Sequence, residues 1–161
     1  NVMKEYYGDP EATSRVIRDG FLRTGDLGAV DEDGYITIHG RKKSVIVTAG
    51  GKNVHPAEIE DVLNSSRLIM ESIVLEVEDG RGNIRPGAII VPDYDALMAP
   101  GSGDRQMSEE KIRQAIAGEI KSLTGDLADY KHIHDFRIRD TELPRTPTRK
   151  LKRHLVRWIE E

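Results

Sequence analysis

Five cationic side chains lie close together between residues 143 and 153, in the segment LPRTPTRKLKR. Apolar residues recur after it at helical spacing, namely Leu151, Leu155, Trp158 and Ile159. This spacing predicts a helix that begins near Thr148, with Arg149 and Lys150 in its first turn. Cations at a helix N-terminus forgo a stabilisation of about 0.3–1 kcal/mol each. A bound phosphate or carboxylate would offset that loss, although a solvated basic face on a terminal helix explains the same residues.

A glycine and a carboxylate stand together in the segment RTGDLG at residues 23–28. Gly25 permits a close approach of the backbone, and the Asp26 carboxylate can accept hydrogen bonds from two neighbouring hydroxyls, as in a ribose diol. Asp26 could instead cap a turn. Arg41, which follows Gly40, could donate to ribose or phosphate oxygens or form a surface ion pair.

A second glycine-containing segment, TAGGKN at residues 48–53, lacks the spacing of a phosphate-binding loop. Gly50 and Gly51, followed by Lys52, predict either a turn whose backbone approaches a ligand or a plain hairpin turn with positive φ. Lys43 lies shortly before this segment. It is a long cationic side chain, and an ordinary solvated surface role also accounts for it.

Composition excludes several classes of protein. The chain has no cysteine, which excludes disulfides, thiolate nucleophiles and Cys-ligated zinc. A net charge of −4, with 24 basic and 28 acidic residues interspersed, argues against a nucleic-acid surface. The five histidines form no compact metal motif, so no metal site is predicted. No apolar run approaches the roughly 18 residues of a membrane span and no signal peptide is visible, so we expect a cytoplasmic protein without a transmembrane segment.

Local signals define the elements. Asp33-Gly34 predicts a hairpin over residues 27–39, and β-branched residues predict a strand at 45–48 with a short return at 53–54. Pro56 begins a helix that ends near Asn64, with Ile59, Val62 and Leu63 on its apolar side and Glu58, Glu60 and Asp61 on the other. Two antiparallel strands at 72–78 and 87–92 are followed by a loop at 93–107, a helix from Ser108 to Gly125 and a strand at 133–138. The predicted fold class is α+β, with three layers and a small β-sheet covered by helices.

Taken in order, RTGDLG, GRKKSVIVTAGGKNVHPAEIE at residues 40–60 and LPRTPTRK resemble the C-terminal motifs of the adenylate-forming superfamily. That superfamily comprises acyl-CoA synthetases, peptide-synthetase adenylation domains and luciferases. The resemblance begins with VMKEYYGDPEAT at residues 2–13 and is greatest to AMP-forming, long-chain fatty acid CoA ligases. It implies formation of acyl-AMP from ATP and a small-molecule carboxylate, then acyl transfer to coenzyme A. ATP, CoA and Mg²⁺ are the implied cofactors of the complete enzyme, and none is expected to be bound to this fragment.

The resemblance also implies a role for each candidate residue. Asp26 would grip the ATP ribose, and Arg41 would contact the nucleotide. Lys43 would be the hinge of a mobile domain, and the loop with Gly50, Gly51 and Lys52 would border the pantetheine tunnel during thioester formation. Lys150 would bridge the carboxylate and the nucleotide during adenylation, an assignment over Lys152 that rests on register with residues 143–147. Family members often have glycine immediately before this lysine, whereas this chain has Arg149.

The resemblance divides the chain at residue 42. Residues 1–42, with the β-hairpin, would end a large N-terminal AMP-binding domain, and residues 43–161 would form the mobile C-terminal domain. The missing N-terminal domain would carry the phosphate-binding loop, the adenine pocket and the acyl pocket, so the fragment alone is expected to be inactive. Two alternatives stay open: a stand-alone nucleotide- or CoA-binding or regulatory module, and an adenylating enzyme with a carrier-protein acceptor or luciferase-type oxygen chemistry.

Overall fold

The computed structural model describes residues 2–98 and 107–158. The chain divides between Ser44 and Val45 into two compact units. The described residues of the first unit form one α-helix and four short strands: α1 (Pro10–Val16), β1 (Ile17–Arg18), β2 (Phe21–Leu22), β3 (Asp26–Val30) and β4 (Ile36–Arg41). β1 pairs antiparallel with β2, and β3 pairs antiparallel with β4.

The hairpin predicted over residues 27–39 is confirmed as β3 and β4. Its turn is built on the Asp31 carboxylate, whose Oδ1 accepts a hydrogen bond of 2.8 Å from the Tyr35 N–H. Gly34 adopts a φ of 86°, a left-handed conformation that glycine reaches without steric cost. The Asp33-Gly34 pair therefore predicted this turn because the turn requires a left-handed backbone conformation at Gly34.

The second unit begins at Val45, and its described residues form a three-stranded sheet, a separate strand pair and three α-helices. Its elements are β5 (Ile46–Val47), β6 (Asn53–Val54), α2 (Pro56–Leu63), β7 (Ile69–Glu78), β8 (Ile84–Pro92), α3 (Tyr94–Leu97), α4 (Glu109–Thr124) and β9 (Asp135–Ile138). In the sheet, β8 lies between β7, which is antiparallel to it, and β9, which is parallel to it. The α+β class and the predicted strands and helices up to residue 138 are confirmed. One difference is α3, which occupies the start of the predicted loop at 93–107; residues 99–106 of that loop lie outside the described ranges.

The helices cover one face of the sheet. One buried cluster contains side chains from both helices and from the sheet. Its members include Ile59 and Leu63 of α2, Ile116 and Ile120 of α4, and Val74, Ala88 and Ile90 of the sheet. Ser108 caps α4 as predicted, because its hydroxyl accepts a hydrogen bond from the Lys111 N–H, and Gly125 stands at the C-cap. Burial of these side chains, at about 1.5–3 kcal/mol each, is the main contribution to stability on this face.

The C-terminal segment covers the opposite face of the sheet. Leu143 and Val156 join Ile73, Ile89 and Val91 in a second buried cluster, with Leu151 and Trp158 packed against it. The predicted helix from Thr148 is therefore wrong within the described residues: Arg145 and Leu151 form an antiparallel bridge, and only a 3-10 turn, Arg153–Leu155, follows. Of the apolar residues that suggested a helix, Leu151 and Trp158 pack against this cluster, whereas Leu155 is 55% exposed. Ile159 lies outside the described residues.

A β-bulge allows residues near the start of β7 to contact both the helices on one face of the sheet and the C-terminal segment on the other. Ile69 lies opposite Pro92 and Glu71 opposite Val91, so Met70 is an extra residue in the strand. In a regular strand, residues 69 and 71 would share a face. Here Ile69 joins the cluster under the helices, while Glu71 contacts Leu143 of the C-terminal segment.

The turn between β7 and β8 is organised by Asp79. Its carboxylate accepts hydrogen bonds from the backbone and side chain of Asn83, from the Arg81 N–H and from the Arg85 guanidinium. The pKa of Asp79 therefore lies well below its usual range, chiefly because of the Asn83 backbone donor. These donors lie in the turn itself and at the start of β8, so the role of this carboxylate is structural.

Candidate functional site

Asp26 and Arg41 face each other across the β3–β4 hairpin. Arg41 Nε lies 2.9 Å from Asp26 Oδ1, and Arg41 Nη1 donates to the Thr24 carbonyl oxygen at 2.6 Å. Gly25, with a φ of 76°, turns the chain so that the Thr24 carbonyl reaches the guanidinium. The structure thus brings together the two predicted nucleotide-binding residues, which are joined by the surface ion pair that was the alternative for Arg41.

Lys43 lies in a 3-10 turn, Lys42–Ser44, and its side chain is exposed. The chain passes from the first compact unit to the second directly after this turn. That position suits a hinge, which stays a prediction.

The loop with Gly50, Gly51 and Lys52 joins β5 to β6. The Thr48 N–H donates to the Lys52 carbonyl oxygen at 3.0 Å, and the Gly51 N–H donates to the Thr48 carbonyl oxygen at 2.8 Å. Gly51 has a φ of 70°, so the hairpin turn with positive φ is present. This loop also lines a groove of about 330 Å³, together with the β7–β8 turn and a 3-10 turn, Asp129–Lys131.

Lys150 follows a tight hairpin turn. The Arg149 N–H donates to the Thr146 carbonyl oxygen and the Thr146 N–H to the Lys150 carbonyl oxygen, both at 2.8 Å. Arg149 has a φ of 61°, so the turn has the form of a three-residue hairpin loop closed by a left-handed bulge residue, where glycine is favoured. The Lys150 side chain is exposed, whereas Lys152 is half-buried and its N–H donates to the Pro144 carbonyl oxygen at 2.8 Å. Of the two lysines, Lys150 is the one that the turn presents to solvent.

Sequence analysis missed two carboxylates that hold this segment. Glu71 pairs with Arg145, and Glu60 pairs with Arg153. Glu60 is only 9% exposed, which corrects its expected place on the polar side of α2. The signal was present, because Glu60 stands at helical spacing with Pro56 and Leu63, on the face that α2 buries. The strand pattern gave no comparable signal for Glu71, because the bulge in β7 determines on which face of the sheet its side chain lies.

A family model described as the AMP-binding enzyme C-terminal domain matches residues 43–157. The chain therefore belongs to that family.

Relatives of the chain include several CoA ligases. It is 37% identical to the long-chain-fatty-acid–CoA ligase FadD15 of Mycobacterium tuberculosis, with 96% of the chain and 28% of that protein covered. Indoleacetate–CoA ligase of Aromatoleum aromaticum is 38% identical, with 99% of the chain and 28% of that protein covered. The chain thus spans about a quarter of the length of these relatives.

A solved structure with the same fold is o-succinylbenzoate CoA synthetase from Bacillus subtilis, in complex with the acyl-adenylate intermediate OSB-AMP. It is 30% identical with a TM-score of 0.75, covering 100% of this chain and 29% of that chain. In the part of the chain that the structure describes, no helix has the length and apolar character needed to cross a membrane.

Proposed function

We propose that this chain is the C-terminal part of an AMP-forming CoA ligase, in which Lys150 promotes adenylation of a carboxylic acid. The observation that carries the proposal is an exposed lysine on a constrained turn, in a chain of the AMP-binding enzyme C-terminal domain family. In the first half-reaction a carboxylate oxygen attacks the α-phosphorus of ATP and pyrophosphate leaves. Two anions meet in that step, and the Lys150 ammonium offsets their repulsion and stabilises the charge that develops.

The first unit contributes the nucleotide contacts in this proposal. The Asp26 carboxylate accepts hydrogen bonds from the ribose hydroxyls, and Arg41, which holds Asp26 at 2.9 Å, orients it for them. Lys43 is the hinge between residues 1–42, as the end of the N-terminal domain, and the C-terminal domain from residue 43 onward. Within the described ranges no group of three His, Asp or Glu side chains could hold a metal ion.

In the second half-reaction the CoA sulfur attacks the acyl carbon, the thiol loses its proton and AMP leaves. The groove beside Gly50 and Lys52 supports a role for this loop near the pantetheine arm, because a ligand can approach the backbone closely at a glycine. A long-chain fatty acid is the first substrate to test, since FadD15 is 37% identical. An aryl acid is the second, since the indoleacetate ligase is 38% identical.

The test is Lys150→Ala in the complete ligase, assayed for each half-reaction separately. Removing one charge-stabilising group should lower the adenylation rate by about 10²–10³-fold. Thioester formation from supplied acyl-AMP should be largely unchanged. Lys152→Ala is the matched control, because that lysine is half-buried and should leave adenylation close to wild type. Equal loss of both half-reactions in Lys150→Ala would reject the role.

A further inference from the structure

We propose that Glu71 and Arg145 are positioning residues that hold Lys150 in its productive orientation; this rests on the role of Lys150 proposed above. The Glu71 Oε1 accepts a hydrogen bond from Arg145 Nε at 2.9 Å and a second from Nη2, and its Oε2 accepts from the Leu143 N–H at 2.9 Å. Both carboxylate oxygens are thus used on the segment that leads into the Lys150 turn. A strand of the central sheet thereby fixes one guanidinium.

The third nitrogen of that guanidinium reaches the turn itself. Arg145 Nη1 donates to the Arg149 carbonyl oxygen at 2.8 Å. That carbonyl belongs to the peptide group that ends at the Lys150 nitrogen, so its orientation sets the direction in which the Lys150 side chain leaves the backbone. Glu71, Arg145 and the Arg149 carbonyl form a continuous connection from the sheet to Lys150.

Backbone conformation explains why the turn needs this support. Arg149 has a φ of 61°, which side-chain-bearing residues adopt only when their surroundings enforce it. The Lys150 N–H donates to Thr146 Oγ1 at 3.0 Å, which closes the turn from the other side. Since glycine is absent from the bulge position, contacts such as that of Arg145 must keep the peptide in place.

The carboxylate of this pair is largely buried, which distinguishes the pair from a fully exposed surface ion pair. The Glu71 side chain is 13% exposed and the Arg145 side chain 38% exposed. The charges attract each other more strongly here than in bulk water, and the planar guanidinium makes contacts in a fixed geometry. A lysine at position 145 would keep the charge but could not reach Glu71 and the Arg149 carbonyl together.

The second pair, Glu60 and Arg153, offers a matched comparison. Arg153 makes two hydrogen bonds to Glu60, at 2.8 and 2.7 Å, and one of 3.0 Å to the Val74 carbonyl oxygen. These bonds join the C-terminal segment to α2 and β7, and none of them reaches residues 146–150. The loss of this pair should therefore affect stability, whereas the loss of the Glu71–Arg145 pair should affect the orientation of Lys150.

The experiment is a double-mutant cycle in the complete ligase, with Arg145→Met, Lys150→Ala and the double variant. Arg145→Met should lower the kcat of adenylation by about 10–10²-fold, the range expected when a catalytic group is misplaced by about 1 Å. The KM for ATP and thioester formation from supplied acyl-AMP should change little. In the Lys150→Ala background the same substitution should have no further effect, because Arg145 acts through Lys150.

Two further variants are controls. Arg145→Lys should lower the kcat of adenylation as much as Arg145→Met does. Arg153→Met should lower the thermal midpoint, while the folded enzyme keeps its adenylation kcat.

Three results would overturn the inference alone: multiplicative losses in the double variant, full rescue by Arg145→Lys, or an equal fall in both half-reactions. If Lys150→Ala leaves adenylation unchanged, the proposed function fails and this inference fails with it. Should Arg145→Met not fold, Glu71→Gln tests the same point, because it keeps an acceptor for the Leu143 N–H and removes the charge. Glu71→Gln should show a smaller loss in adenylation and the same non-additivity with Lys150→Ala.

Discussion

Arg149 occupies a backbone conformation that most L-residues avoid. Its φ of 61° falls in the left-handed region, at a cost of about 1–2 kcal/mol for a residue with a side chain. The resembled family often has glycine here, and the geometry supplies the reason, since this is the bulge residue of a hairpin loop. The departure from glycine noted in the sequence thus has a measurable consequence for stability.

We expect Arg149→Gly to stabilise the chain by up to about 1 kcal/mol, because relief of the left-handed strain exceeds the roughly 0.5–1 kcal/mol of added chain entropy. Urea unfolding of the purified chain measures this as a higher midpoint. Thr148→Gly is the control: its φ is not positive, so it should gain no strain relief and should lower the midpoint. A fall in midpoint for Arg149→Gly as large as that for Thr148→Gly would contradict the argument.

At the scale of elements, the bulge at Met70 determines on which face of the sheet the side chains of Ile69 and Glu71 lie. Ile69 and Glu71 lie opposite consecutive residues of β8, Pro92 and Val91, so Met70 has no partner of its own. Side chains alternate faces with a period of two, and the bulge alone allows Ile69 and Glu71 to face opposite layers. Removal of Met70 would make Ile69 and Glu71 adjacent in a regular strand. Adjacent side chains of a strand point to opposite faces, so both residues would keep their present orientations.

Deletion of Met70 should therefore cost no more than about 1–2 kcal/mol, a typical value for a single change. Deletion of Ser72, within the regular part of the strand, should cost more than about 2–5 kcal/mol, because Ile69 would leave the core and Glu71 would turn towards the helices. Thermal unfolding of the two deletion variants measures the difference. Ser72→Ala corrects for the hydrogen bond of 2.9 Å between the Ser72 hydroxyl and Asn64. Equal costs for the two deletions would show that the bulge does not set the faces.

At the scale of the whole molecule, the first unit exposes an apolar face. Val30, Ile36 and Ile38 are 66%, 72% and 64% exposed, and the strand register places all three on one side of the hairpin. Contiguous apolar surface of this kind usually marks a contact with another part of a protein. We propose that this face packs against the remainder of the complete ligase.

The double substitution Ile36→Lys with Ile38→Lys should lower the stability of the complete ligase by about 3 kcal/mol or more, since it removes two isoleucines from a buried contact. In the isolated chain it should reduce binding of a hydrophobic dye without destabilisation. Thr37→Lys, on the opposite side of the same strand, is the control and should be tolerated in both proteins. Differential scanning calorimetry of the complete ligase decides the question, because similar curves for the two variants would exclude the contact.

Much of the fold followed from signals that act within a few residues. The turn or helix start that the backbone chemistry favours is present at Asp33-Gly34, Pro56 and Ser108, so the hairpin and the starts of α2 and α4 were predictable. Gly125 stands at the C-cap of α4 as expected, but with a helical φ of −59°. The three ordered motifs likewise identified the family, because motif residues act in short segments that a sequence displays directly.

What the sequence determined by itself, then, was the family, the α+β class and the candidate lysine. Tertiary structure alone decided that residues 145–151 form a hairpin turn packed on the sheet rather than a helix, and that Glu71 and Glu60 hold the segment's arginines. Glu71 and Arg145 are separated by 74 positions. Local propensity carries no information about such a pair, because the free energy of its contacts arises only once the sheet has brought the two segments together.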